Sequence, residues 1–280
     1  MDEKAEELET IGMILENSLE TKESDFQLMT CSKCGDHIQK EINILGKIRI
    51  VPVLCGCRQK QLEDKKRAEE VAAKQERIKQ LFTSSLMDKK FMNETFENWD
   101  LSKGNKGMYN MGISYCNKFS EAKKEGLGFL FHGEPGNGKT YLSNCIGNRL
   151  LNNMVPVICV GINQLLERIR QTYSRYGQDG EDTVLRGLAL ADLLILDDLG
   201  TEQSTEWSIS RVYNIIDSRI RNGLPIIIST NHTIADLEKR YSKRTISRLT
   251  EVCTPIKFTG EDIRKLNAKK KTDLLRQILK

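Results

Sequence analysis

Between Gly133 and Thr140 the chain reads GEPGNGKT, and few octapeptides restrict a fold so tightly. The pattern G-x-x-x-x-G-K-[ST] works where an apolar strand runs into a glycine-rich turn and out into a helix. Both flanks are present, GFLF before it and YLSNCIGNRLL after it. Gly133, Gly136 and Gly138 let backbone N–H groups curl round phosphate oxygens, and the positive end of the next helix adds its partial charge. Glu134, Pro135, Asn137 and Tyr141 complete the expected binding segment. Lys139 is placed to reach the β- and γ-phosphates and Thr140 to hold Mg²⁺, so ATP and Mg²⁺ are the expected ligands.

The metal shell needs an acid as well, and LLILDDLG supplies a pair at the end of an apolar run. Asp197 is expected beside Mg²⁺, with Asp198 placed to take a proton from an attacking water. The runs GFLFHG (128–133), VPVICVG (155–161), DLLILDD (192–198) and LPIIIST (224–230) have strand length and are apolar on both faces. Buried parallel strands read this way. Helical spacing lies between them, notably at Ile209, Val212, Ile215, Ile216 and Ile220, closed by Gly223. The expected class is α/β with a parallel sheet.

Two further features leave alternatives open on the residues alone. Asn231, just past the run ending IST, either orients an attacking water or caps the next helix. Arg244 and Arg248 in KRYSKRTISRL share one helix face, either solvated or presented to a neighbouring subunit's γ-phosphate.

The order FMNETFENW, GEPGNGKTYLSN, LLILDDLGTEQSTEW, STN, RTISRL and FTGEDIRKLNA resembles the AAA+ ATPases of the DnaC/DnaI type. These load the bacterial replicative helicase and are related to the helper ATPases of insertion sequences. The resemblance covers about Phe91 to the C-terminus. It implies a P-loop AAA+ core with a five-stranded parallel sheet flanked by helices. It also implies slow ATP hydrolysis stimulated by single-stranded DNA, and delivery of a DnaB-type helicase by subunits that assemble through the ATP interface. In its terms Asn231 is the sensor-1 residue, Arg248 the arginine finger supported by Arg244, and Arg264 the sensor-2 arginine. Tyr173, Thr205 and Trp207 match a DNA-facing channel surface, with Arg170 and Arg175 supplying charge nearby. The second acid is often glutamate in AAA+ proteins, whereas here it is Asp198. An insertion-sequence helper, or an adaptor switched by ATP without turnover, is the alternative function.

Ahead of the core, CSKCGDH and VLCGCR place Cys31, Cys34, Cys55 and Cys57 in pairs at the two ends of a short segment, a pattern suited to tetrahedral Zn²⁺. His37 is a potential substitute for one thiolate. The other four cysteines, Cys116, Cys145, Cys159 and Cys253, sit among apolar residues and read as core. Some loaders carry a zinc-bearing N-terminal domain that docks on the helicase. The expected domains are therefore 1–57 for helicase interaction with zinc at 31–57, a charged helical linker at 58–89, and the ATPase at 90–280.

The two ends differ in charge. Residues 1–30 carry nine acids against two lysines, with Leu8, Ile11, Ile14, Leu15 and Leu19 at roughly helical spacing. Residues 264–280 carry seven bases and one acid. Each end is either solvated or a contact surface, the acidic one for protein and the basic one for a phosphate backbone. No apolar run approaches the ~20 residues of a membrane span, so no membrane partner is expected and the cytoplasm is the expected compartment.

Overall fold

The structure, a computed structural model, describes residues 28–44, 47–82, 91, 93–102, 106–176, 178–260 and 262–279. Side chains are described throughout these except at 77–82, 173–180, 266–267, 269–270 and 274. The amphipathic helix expected in the acidic N-terminal stretch falls on 1–27, outside the described residues. The chain divides into two compact units, with the boundary between Glu69 and Glu70.

In the first unit, β1 (Gln39–Ile44) and β2 (Lys47–Pro52) form an antiparallel pair in which Ile42 faces Arg49 and Ile44 faces Lys47. Most of their side chains are exposed. The helix α1 (Gly56–Phe82) begins in this unit and continues past its boundary, 27 residues built almost wholly from strong helix formers. It starts inside the cysteine pair, so Cys57 stands in its first turn.

In the second unit, α2 (Lys106–Asn117) and α3 (Phe119–Lys124) precede β3 (Gly128–His132), which leads to α4 (Lys139–Asn152). Next come β4 (Val157–Gly161), α5 (Ile162–Tyr176) and α6 (Gln178–Leu190). Then follow β5 (Leu193–Asp197), α7 (Glu206–Arg221) and β6 (Ile226–Thr230). The unit closes with α8 (Ile234–Tyr241), α9 (Lys243–Val252), β7 (Cys253–Lys257) and α10 (Ile263–Ile278). The five strands form one parallel sheet in the order β4-β5-β6-β3-β7.

Strand side chains alternate, so the sheet builds two cores. Leu130, Leu194, Leu196, Ile226 and Ile228 pack with Ile162, Leu165, Ile169, Val212, Leu237 and Leu249 on one side. Phe131, Leu193, Ile195 and Ile227 pack with Phe96, Tyr115, Leu142, Cys145 and Ile146 on the other. The four cysteines read as core are all buried. Burial of one such large apolar side chain contributes about 1.5–3 kcal/mol, so helices on both faces are what keep a five-residue strand in place.

One charge serves the core as well. Arg219, only 1% exposed, donates to the carbonyls of Leu188, Ala191, Asp192 and Pro225 at 2.6–3.2 Å. It joins the end of α6 to the starts of β5 and β6. Burial pulls its proton affinity down to about 10, and it stays cationic. No helix among the described residues is long and apolar enough to cross a membrane.

Candidate functional site

All five strands point the same way, so the segments leaving their carboxyl ends gather along one edge, where open α/β sheets bind ligands. The glycine-rich loop leaves β3, the acidic pair closes β5, and Asn231 follows the last residue of β6, where it is exposed. These three strands are neighbours in the order β5-β6-β3.

Backbone conformation explains the glycines. Gly136 and Gly138 have φ of 83° and 95°, in the left-handed region, and Gly138 caps α4. A Cβ at Gly136 would lie 1.9 Å from the Asp262 carboxylate. Asp262 caps α10, and the next N–H, that of Ile263, donates to Gly136 O at 3.0 Å. Asn137 Nδ2 donates to Phe258 O at 3.0 Å. The loop is thus closed on one side by the chain's last strand and helix.

Lys139 is 5% exposed, and its Nζ donates to Gly133 O and Glu134 O at 2.8 Å and to Asn137 Oδ1 at 3.2 Å. Burial lowers its proton affinity, while Asp198 and Asp197 raise it. The ammonium is held by two loop carbonyls and the Asn137 side-chain oxygen, partners that phosphate oxygens can replace. Tyr141, in the first turn of α4, stands edge-on to Trp99, whose ring also meets Tyr109 and Phe96.

Thr140 Oγ1 donates to Asp197 Oδ1 at 3.0 Å. Adjacent oxygens on an octahedral Mg²⁺ lie about 2.9 Å apart when the metal–oxygen bonds are about 2.05 Å, so this pair fits Mg²⁺. The same carboxylate oxygen takes a hydrogen bond from Ser229. Asp198 sits at φ 56°, a left-handed conformation that costs an ordinary residue about 1–2 kcal/mol. Burial and then the neighbouring Asp197 push its carboxyl above the usual range, opposed by Arg264 and Lys139. A carboxylate with raised proton affinity is the better proton acceptor. Arg264 itself is exposed in the first turn of α10, close enough for its charge to act on both Lys139 and Asp198.

The two arginines of α9 have partners within the chain. Arg248 Nη1 lies 3.0 Å from Asp217 Oδ1, and Arg221 Nε lies 2.7 Å from Asp217 Oδ2. Arg244 lies over the Tyr213 ring at 5.9 Å. Both contacts are with α7.

The aromatic and basic positions on α5 and α7 are partly brought together. Arg170 lies over the Trp207 ring at 4.9 Å, and Trp207 is half-buried against the core. Thr205 is exposed, but its hydroxyl caps α7 by accepting from Ser208 N at 3.1 Å. The side chains of Tyr173 and Arg175 lie outside the described residues.

In the first unit all four sulfurs of Cys31, Cys34, Cys55 and Cys57 lie within 4.8 Å of one another. Cys31 and Cys57 are 3.6 Å apart, and Cys55 and Cys57 3.3 Å. Sulfurs on a tetrahedral Zn²⁺ stand about 3.8 Å apart, so the cluster fits the metal. His37 is outside this group and pairs its backbone with Thr30. Backbone amides of Lys33 and Cys34 lower the Cys31 thiol to about 6, while the neighbouring thiols, Cys55 first, push Cys57 up to about 12. A shared cation would relieve that opposition.

Ser229, Asp217 and Asp262 were not expected at the site from sequence. Asp217 is buried at the edge of the apolar stripe of α7, a face that also carries Arg219 and Ser208, so the sequence alone does not single it out. Ser229 and Asp262 need the strand pairing and the chain's return to the loop.

A family profile described as IstB-like ATP binding protein matches residues 59–271. The replicative helicase loader DnaC of Buchnera aphidicola (subsp. Baizongia pistaciae) is 28% identical over 160 residues, 57% of this chain and 64% of that protein. The match therefore spans less than two thirds of that relative. The uncharacterized protein YdaV of Escherichia coli is 29% identical over 67% of this chain and 75% of its own length. Among solved structures, a crystal structure of the DnaC helicase loader superposes with a TM-score of 0.54 at 23% identity, covering 61% of this chain and all of that one. The replication initiator DnaA bound to AMPPCP and single-stranded DNA gives 0.52 at 18% identity, covering 62% of this chain and 51% of that one. The last two show that the second unit shares the fold of those proteins, the one expected above.

Proposed function

Because this chain belongs to the family of IstB-like ATP binding proteins, we propose that it is an ATPase that delivers a DnaB-type replicative helicase onto single-stranded DNA. The observation that carries this reading is the four-thiol unit joined to the ATP-binding unit. The cysteines at 31–57 lie outside the residues matched by the family profile, so they add a feature beyond the ATP-binding core. A small unit stapled by a metal would suit a protein-docking role, and relatives named as replicative helicase loaders support a helicase as its partner. We assign helicase contact to 1–57 with zinc at 31–57, a linking role to 58–89, and nucleotide chemistry to 90–280.

In this reading Lys139 exchanges its loop carbonyls for the β- and γ-phosphates. Thr140 and Asp197 hold Mg²⁺, which when bound offsets phosphate charge. Asp198 takes the proton of the attacking water, Asn231 orients that water, and Arg264 sits at the γ-phosphate from the same chain. Arg248 serves the neighbouring subunit with Arg244 beside it, and doing so requires release from Asp217. Trp207, Tyr173, Thr205, Arg170 and Arg175 face the DNA strand.

The direct test is affinity capture with a DnaB-type helicase, together with steady-state ATP hydrolysis with and without oligothymidylate. Capture with DNA-stimulated hydrolysis is expected. Capture of a transposase without the helicase would favour the insertion-sequence helper, and ATP binding without turnover would favour the switched adaptor.

The trans role of Arg248 has its own expected result. Arg248→Ala protein should bind ATP normally and hydrolyse it ~10²–10³-fold more slowly, as for the loss of a charge-stabilising donor. Mixing it with Lys139→Ala protein should restore part of the rate, since some interfaces then pair an intact loop with an intact arginine. Absence of recovery at every mixing ratio would remove the trans assignment.

A further inference from the structure

Ser229 opens the STN segment but has been given no role above, yet it is 1% exposed and lies between the phosphate loop strand and the acidic strand. Its hydroxyl has one proton and donates it to Asp197 Oδ1. A lone pair of the same oxygen accepts the Asp198 N–H at 3.1 Å. Its backbone carbonyl accepts the Leu199 N–H at 2.9 Å. One residue of β6 therefore binds three consecutive residues at the end of β5.

A carboxylate at a strand end is otherwise free to turn about two side-chain bonds. Thr140 also donates to Asp197 Oδ1. As a metal ligand, however, Thr140 must turn its oxygen toward the cation, which leaves Ser229 as the hydroxyl dedicated to Asp197. The second bond holds the amide of Asp198, whose φ of 56° needs support from its surroundings. The two acids carry different tasks, and one hydroxyl sets both of them.

We propose that Ser229 is the positioning residue of the Mg²⁺ site, orienting Asp197 for the metal while fixing the backbone of Asp198. This rests on the reading of the loop as an ATP site. A buried hydroxyl needed only for stability would leave the metal response unchanged when replaced. A positioning hydroxyl shows itself in that response, and threonine should preserve it.

The test titrates a fluorescent ATP analogue into wild type, Ser229→Ala, Ser229→Thr and Ser229→Val, each with and without Mg²⁺. All four should bind the metal-free analogue alike. Wild type and the threonine variant should gain affinity on adding Mg²⁺, and the alanine and valine variants should lose roughly tenfold of that gain, the scale of one lost hydrogen bond to a charged group. Threonine and valine have the same shape and differ in the hydroxyl, so this pair decides if alanine fails to fold. Full Mg²⁺ gain in the variants without the hydroxyl overturns the positioning role alone. No analogue binding by folded wild type overturns the ATP reading, and this inference falls with it.

Discussion

Lys139→Ala should weaken binding of a fluorescent ATP analogue roughly 10–100-fold, the scale of one charge-assisted hydrogen bond at about 1.5–3 kcal/mol. Hydrolysis should fall below detection, because the same ammonium faces charge that grows in the transition state. The fold should survive. Lys139 is bonded to backbone oxygens of its own loop, and the core on both sides of the sheet does not contain it. The check is a binding titration beside a thermal melt. Equal affinity in mutant and wild type, at equal melting temperature, would show that the phosphate chain lies elsewhere.

Removing zinc should have the other large effect, confined to the first unit. Among the described residues β1 and β2 pair only with each other, and an isolated two-stranded hairpin is marginal in water. Structural zinc contributes on the order of 10–16 kcal/mol in small peptides, more than such a hairpin can replace. Elemental analysis should find about one zinc per chain, held by four thiolates. Cys55→Ser, at the most buried of the four sites, should abolish it. Hydrogen exchange should then show amide protection lost in residues 39–52 and retained in β3, β5 and β6. Protection of 39–52 that survives complete metal removal would overturn the structural role of the cluster.

The nucleotide edge was legible because its strands are apolar on both faces and carry their signature residues at their ends. GFLFH, VICVG, LLILD and IIIST became β3 to β6 with boundaries close to those expected. The helix expected around Ile209 to Ile220 became α7, and Gly223 follows it at φ 61°. β7 was not read from its residues. CTPIK is short, half exposed and carries Pro255, which suits an edge strand and hides it from a search for apolar runs. Resemblance rather than periodicity supplied the fifth strand. The hairpin was missed because KEINI and KIRIVP alternate weakly and most of their side chains stay exposed.

At the site the pattern was similar. Residues within one motif were legible, since Lys139, Thr140 and the two acids follow from chemistry that needs them adjacent. Residues whose role depends on a distant partner were not. Asp217 meets Arg248 only when α7 and α9 pack together, and Ser229 meets Asp197 only through strand order. For His37 the spacing left a choice, and the structure gathers the four sulfurs into a group that does not include it.

The position of β3 bears on how the chain is made. It is the earliest strand of its sheet in sequence, yet its two neighbours are β6 and β7, so Phe129 pairs with Ile227 and Thr254. The loop it carries is tied to Phe258 by a hydrogen bond between residues 121 apart. At roughly 5–20 residues per second, a ribosome needs about 6–24 s to cross that interval. Until β6 is made β3 has both edges open, and throughout the interval its β7 edge is open and the phosphate loop lacks its closing side. A nascent chain in that state has no finished ATP site and an open strand edge for a chaperone to guard. Nucleotide capture would then double as a signal that translation of the second unit is nearly finished.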